Sequence, residues 1–136
     1  MIHHGDTEAR SKLLHEELTE RVIGAAIEVH RALGPGLLES AYEECLCHES
    51  HLQGISFERQ PPLPVAYKDV KLDCGYRLDL IVENKLILEI KCVERLLPVH
   101  EAQLLTYLKM TGMRVGLILN FNVSILTRGG IVRKVL

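Results

Sequence analysis

Long apolar runs are missing from this 136-residue sequence, and none approaches the roughly 18–20 residues needed to span a bilayer. A membrane-spanning protein is therefore not expected. The first residues, Met1 to Asp6, show no apolar stretch after a basic one, so a secretory signal is not expected either. The cysteines lack the paired spacing of a disulfide framework, which favours reduced thiols and a cytoplasmic protein. They are Cys45, Cys47, Cys74 and Cys92.

A strong charge of one sign is also missing, since 16 Lys and Arg residues nearly balance 18 Asp and Glu residues. The strongly basic surface of a high-affinity DNA-binding protein is therefore not expected. The charge is uneven along the chain, however. Residues 1–55 hold 4 basic and 10 acidic residues, a balance of −6, whereas residues 56–136 hold 12 and 8, a balance of +4. This asymmetry favours a modest nucleic-acid-binding surface on the C-terminal part.

Hydrophobic periodicity predicts one α/β domain over residues 1–136, with a flexible arm at residues 1–11. The predicted helices cover residues 12–33, 37–52 and 98–110. The predicted strands cover residues 65–70, 72–82, 85–93, 114–121, 123–127 and 131–135. The order of helix, helix, strands, helix and strands predicts a mixed α/β domain with one central sheet.

The strongest chemical pattern lies in the two predicted strands on either side of residues 83–85. If these three residues form a hairpin loop, residue i pairs with residue 168 − i, and Asp79 lies opposite Glu89. Facing side chains in such a pair have Cβ atoms about 4.5–5.5 Å apart, and like charges there repel each other. A shared cation would explain the pair, and Mg²⁺ takes one or two protein carboxylates together with waters and substrate phosphate. A two-residue loop would shift this pairing.

Lys91 adds a third group to the pattern, because it is two positions after Glu89 and projects from the same strand face. The opposite face is predicted to be apolar and to carry Leu78, Leu80, Val82, Leu86, Leu88 and Ile90. Two carboxylates and an ammonium group suit phosphodiester hydrolysis, in which a metal activates water and the lysine positions that water or stabilises charge on phosphorus. The plain alternative is a surface salt bridge between Lys91 and Glu89, with Asp79 incidental.

Two helices offer supporting residues. In the third predicted helix, one face carries His100, Gln103, Leu104 and Tyr107. Such a polar stripe is unusual on a buried face, and the alternative is a partly exposed face with an amphipathic tyrosine. In the second helix, Glu39 is either a carboxylate favoured by the helix dipole or a further ligand for a metal or water. Tyr42 shares its face.

A zinc site is the function to consider for a Cys-x-Cys-His-x-x-His cluster in the second predicted helix. Its members are Cys45, Cys47, His48 and His51. Structural zinc usually draws its ligands from two separated elements. All four residues fall within two turns of one helix, where they do not converge tetrahedrally, so zinc is not expected.

The segment from residue 29 to residue 42 resembles the signature of the GxxExxY protein family, with Gly36, Glu39 and Tyr42 at the named positions. The resemblance continues through residues 75–91, through Gln103 and Tyr107, and into the segment at 119–121. It covers about residues 20–136. The combination is specific, although each piece alone is common.

That family is similar to the RecB-like branch of the PD-(D/E)XK superfamily. The resemblance implies a restriction-endonuclease-like α/β core, in which a central mixed β-sheet is flanked by helices. It implies that the metal ligands are Asp79, Glu89 and the backbone carbonyl of Ile90, with Glu39 as the acidic residue of the helix and a further candidate ligand. It also implies that Lys91 is the catalytic lysine and that Gln103 and Tyr107 form the Q-x-x-x-Y motif beside the active site. Leu78 replaces the proline of the superfamily's name.

The first functional hypothesis is therefore a nuclease that depends on Mg²⁺ or Mn²⁺ and cleaves DNA, with RNA as the alternative substrate. The second is a non-catalytic module that binds nucleic acid or a protein partner, which the small size and near-neutral charge favour. The third, a purely structural subunit, is disfavoured by the set of Asp79, Glu89 and Lys91. A homodimer is expected if the domain acts on duplexes.

Overall fold

The computed structural model describes residues 14–136; the predicted arm at residues 1–11 and the start of the first predicted helix lie outside the described residues. The helices of the described part are α1 (Glu16–Leu33), α2 (Glu39–Leu52) and α3 (Pro98–Thr111). Its strands are β1 (Phe57–Arg59), β2 (Val65–Tyr67), β3 (Val70–Leu72), β4 (Leu80–Val82), β5 (Leu86–Lys91), β6 (Val115–Asn120) and β7 (Ile131–Val135). None of the helices described is long and apolar enough to cross a membrane.

Five strands form one mixed sheet in the order β1–β4–β5–β6–β7. Strands β5 and β6 run parallel and are joined through α3, whereas the other neighbours are antiparallel. Helices α1 and α2 pack on one face of this sheet, and α3 packs on the other. The predicted α/β fold, with a central mixed sheet flanked by helices, is confirmed.

Three predicted strands need correction. The segment 72–82 is not one strand, because β3 ends at Leu72 and β4 begins only at Leu80. The segment 65–70 is not one strand but the hairpin β2–β3, which pairs only with itself among the described residues. Residues 123–127 form turns rather than a strand, because Leu126 is buried singly and its carbonyl accepts a hydrogen bond from Gly130 N. Strand β1 was not predicted, since its three residues show no apolar alternation.

Strand β5 lies between two apolar layers. The side chains facing α1 and α2 include Leu86, Leu88 and Ile90, as predicted. On the other face, Ile81 and Ile87 pack against Leu104 and Leu108 of α3. The face that carries Glu89 is therefore apolar near the hairpin loop and polar only towards the end of β5, because α3 must also bury an apolar stripe.

Tyr42 fixes the connection between α1 and α2. Its hydroxyl donates a hydrogen bond to Gly34 O and accepts one from Leu37 N at 3.2 Å. Its ring is fully buried and stacks on Phe121, with ring centroids 4.6 Å apart. Gly36 adopts a φ of +101°, which side chains rarely adopt. Two positions of the family signature thus shape this turn.

The β4–β5 hairpin has the predicted register. Leu80 pairs with Leu88 and Val82 with Leu86, so residues 83–85 form the three-residue loop. The register places Asp79 opposite Glu89 when it is extended by one residue beyond β4. The sheet thus places the two carboxylates side by side on neighbouring segments of the chain, on the face covered by α3.

The expectation that Leu78 shares the face of Leu80 is wrong. Leu78 is buried with Ile87 on the α3 side, whereas Leu80 packs on the α1 and α2 side. The alternation of residues 78–80 is lost where this segment runs beside Gln60, the residue after β1. Gln60 adopts a φ of +52° and donates its N–H to Asp79 O at 2.8 Å. A left-handed residue in a strand rotates the backbone locally and re-aims the side chains around it.

Candidate active site

Two carboxyl groups meet where β4 begins and β5 nears its end. Glu89 belongs to the central strand β5 and is only 7% exposed. Asp79 precedes β4, and its Oδ2 accepts a hydrogen bond of 2.7 Å from Ile90 N. Asp79 lies close enough to Glu89 for its negative charge to act on the Glu89 carboxyl. Because two neighbouring carboxylates repel each other, the pair favours a proton or a cation that balances its negative charge.

The environment raises the pKa of Glu89 from its ordinary value of 4.5 to about 9. Burial is the largest cause, followed by the neighbouring Asp79 carboxylate and its negative charge. The positive charge of Lys91 and the backbone N–H of Asp79 act in the opposite direction. The Glu89 carboxyl therefore holds a proton at neutral pH unless a cation replaces it.

Lys91 lies at the end of β5, on the face of Glu89 and partly buried. It makes no ion pair within residues 14–136. The salt bridge between Lys91 and Glu89, which was the alternative interpretation, is therefore not formed. The lysine charge nevertheless acts on Glu89, since it lowers the pKa of that carboxyl.

Asn120 holds the chain where it leaves the site, a role that the sequence analysis did not identify. It pairs with Lys91 across β5 and β6 and is 2% exposed. Its side-chain oxygen accepts the Val93 N–H at 3.1 Å, and its amide donates to Val93 O at 3.0 Å. A buried amide that satisfies both backbone groups of one residue fixes that residue in place. The signal in the sequence is a polar residue at the end of an apolar strand.

The residues of the predicted polar stripe of α3 have different surroundings. Tyr107 lies close enough to the pair for its pKa to be affected. Burial is the main cause of the raised pKa, and the charges of Glu89 and Asp79 add to it. Gln103, one turn earlier, is exposed and lines a groove together with Tyr107. His100 instead caps the helix, since its Nδ1 accepts the Leu97 N–H at 2.9 Å. Leu104 is buried in the core.

Glu39 is not among the residues whose charge shifts the pKa of Glu89. It is exposed in the first turn of α2, and its charge acts on Cys92, the residue after Lys91. Burial first and this charge second raise the pKa of the Cys92 thiol to about 11. The structure therefore brings Asp79, Glu89, Lys91 and Tyr107 together, and places Glu39 near the end of β5.

A polar network around the buried Glu43 connects α2 to the backbone of Asp79. Glu43 of α2 accepts hydrogen bonds from Arg59 Nε at 2.8 Å and from Gln60 Nε2 at 2.9 Å. Arg59 also contacts the exposed Glu44. The network was not predicted, although an acidic residue next to Tyr42 on the buried side of a helix is a usable signal. It holds the left-handed Gln60, whose N–H bonds to Asp79.

The four residues of the cysteine–histidine cluster all lie on α2. Cys47 is buried, and this burial is the main reason why the pKa of its thiol is raised to about 11. Cys45 is partly buried, whereas His48 and His51 are exposed. The expectation that these residues do not bind zinc stays a prediction.

The donors at the pair fit a hard divalent cation. Asp79 and Glu89 supply carboxylate oxygens, and the Ile90 carbonyl belongs to the residue whose N–H contacts Asp79. Within residues 14–136, no three His, Cys, Asp or Glu side chains form a group that could hold a metal ion. A site with two carboxylates suits Mg²⁺, which retains several waters and binds substrate phosphate.

Comparison with known proteins agrees with this geometry. The family model of the PD-(D/E)XK nuclease superfamily matches residues 16–134. No match was found among curated proteins or among solved structures. Membership of the GxxExxY family stays a prediction. Nucleases of this superfamily typically use divalent metals and act on nucleic acid. The chain belongs to the PD-(D/E)XK nuclease superfamily.

Proposed function

We propose that this protein is a metal-dependent nuclease that hydrolyses phosphodiester bonds in DNA, with RNA as the alternative substrate. The observation that carries the proposal is the half-buried Asp79 carboxylate beside the buried Glu89 carboxyl, on the sheet face that also holds Lys91. A structural role does not explain two facing carboxylates, because like charges in contact at a buried position are destabilising.

Asp79, Glu89 and the Ile90 carbonyl would hold Mg²⁺ or Mn²⁺, with Glu39 as a candidate for an outer position. Such an ion, when bound, polarises the phosphate and lowers the pKa of a water. The chain itself restrains Asp79 through the Ile90 N–H at 2.7 Å and the Gln60 N–H at 2.8 Å. The first bond holds the carboxylate and the second holds the backbone carbonyl of the same residue, which leaves the side chain little freedom to turn away from Glu89.

Lys91 is the candidate catalytic lysine. Its ammonium group can donate hydrogen bonds to the attacking water or to the phosphate oxygens, and no carboxylate of the described residues pairs with it. Its charge favours the negative charge that develops on phosphorus. Tyr107 and Gln103 are proposed to orient the substrate, because they lie along the neighbouring helix face.

The experiment is a cleavage assay with Mg²⁺ or Mn²⁺ on single strands, duplexes, flaps and RNA. We expect cleavage that EDTA stops and that Lys91→Ala reduces by about 10²–10⁴-fold, the usual contribution of such a group. Lys91→Ala should keep its Mn²⁺ binding, because the lysine is not a ligand. The matched control is Lys85→Ala, which removes an exposed lysine at the other end of the same strand.

Two outcomes would contradict the proposal. Cleavage by Lys91→Ala as fast as by the parent would assign the activity to another site or to a contaminant. A parent that cleaves nothing in the panel, yet retards nucleic acid on a gel, is a binding module.

A further inference from the structure

A groove of about 310 Å³ lies beside the candidate site, between α3 and the chain that leads to Asp79. Its walls include Leu63 and Tyr76 on one side and Val99, Gln103, Tyr107 and Met110 on the other. No charged side chain lines it among the described residues. An uncharged, mainly apolar groove suits a flat ring better than a phosphate or a sugar.

The groove lies on the α3 side of the sheet, the side from which Glu89 and Lys91 project. Tyr107 links the groove to the pair, since it lines the groove and its pKa is raised by burial and then by the charges of Glu89, Tyr76 and Asp79. Tyr76 precedes Asp79 by three residues, and its carbonyl accepts the Leu63 N–H at 3.0 Å. The wall of the groove is thus a continuation of the chain segment that positions Asp79.

We propose that this groove holds an unpaired nucleobase next to the scissile phosphate, an inference that rests on the proposed nuclease function and narrows its substrate to unpaired strands. The Tyr76 side chain is 51% exposed and offers an aromatic surface for stacking. The Gln103 amide can donate and accept hydrogen bonds at the edge of a base. A base inside a duplex is covered by its stacked neighbours and cannot enter.

The proposal is tested by binding of a 12-nucleotide single strand in Ca²⁺, with the strand checked for integrity afterwards. Tyr76→Ala should weaken binding by about 5- to 150-fold, the range typical for loss of one base–aromatic stack. A set of strands with one abasic position, moved along the strand, should show one position at which the parent loses affinity. Tyr76→Ala should lose nothing further at that position.

Two more variants guard against a folding defect. Val99→Asp places a negative charge in the groove at an exposed position in the first turn of α3, where an acidic residue favours the helix. It should weaken binding as Tyr76→Ala does. The matched control is Tyr67→Ala, which removes a tyrosine that is 59% exposed and does not line the groove. It should bind like the parent.

The results separate the two proposals. Parent-like binding by Tyr76→Ala and Val99→Asp, or the absence of a sensitive abasic position, overturns the base site, whatever the parent cleaves. A parent that cuts no strand but shows the predicted binding pattern keeps the base site and overturns the nuclease.

Discussion

The backbone N–H of Gln60 donates a 2.8 Å hydrogen bond to the carbonyl of Asp79, at the point where side-chain alternation along the chain before β4 is lost. Gln60 adopts a φ of +52°, a conformation that is costly for a residue with a side chain. Its amide is held by the buried Glu43. Strained residues persist where the surrounding structure holds them, and they cluster at functional sites.

Gln60→Leu should therefore weaken Mn²⁺ binding roughly fivefold, because it removes a hydrogen bond worth about 1 kcal/mol and keeps the strained backbone. Gln60→Gly should weaken it less, since glycine adopts a positive φ without strain. Calorimetric titration measures both affinities. Glu44→Gln is the control, because Glu44 contacts Arg59 only at the surface. A lower melting temperature with unchanged Mn²⁺ affinity in Gln60→Leu would limit the network to a stabilising role.

The raised pKa of Glu89 predicts an unusual pH dependence of stability in the absence of metal. Between pH 4.5 and about 9 the folded protein keeps a proton on Glu89 that the unfolded chain has lost. The folded state then binds more protons, so the free energy of unfolding falls as the pH rises through this window. Urea unfolding at several pH values measures the slope.

Glu89→Gln should flatten that slope, because glutamine does not titrate. Saturating Mn²⁺ should flatten it as well, since the cation replaces the proton. A free energy of unfolding that rises steadily from pH 5 to pH 9 in the metal-free parent would show that Glu89 is ionised in the folded protein.

Tyr42 is predicted to stabilise the fold without taking part in the site. Tyr42→Phe keeps the ring on Phe121 but removes the hydroxyl that bonds to Gly34 O and Leu37 N. The loss should be about 1–3 kcal/mol in the free energy of unfolding, because buried groups lose their partner. Tyr67→Phe, at an exposed tyrosine, is the control. A changed Mn²⁺ affinity in Tyr42→Phe would place this signature residue in the site.

The hairpin that carries the site was predictable from local sequence. Apolar residues on both sides of residues 83–85 fix the register, and the register alone places Asp79 opposite Glu89. Lys91 follows from the two-residue period of a strand. These features depend on residues that are near one another in the chain.

What the sequence did not reveal depends on contacts between distant residues. The change of face between Leu78 and Leu80 follows from the left-handed Gln60, which Glu43 holds from another element. Asn120 acts on Val93, which lies 27 positions away. Periodicity describes neither contact, because it reads one element at a time.

The most direct test of the account is calorimetric titration of the full chain with Mn²⁺, since the central claim is that Asp79 and Glu89 share one divalent ion. The parent should bind at one site, and Asp79→Asn and Glu89→Gln should each weaken that site at least about tenfold. Asp69→Asn, which alters an exposed carboxylate outside the pair, should bind like the parent. Folded Asp79→Asn and Glu89→Gln variants that both give the isotherm of the parent would contradict the claim.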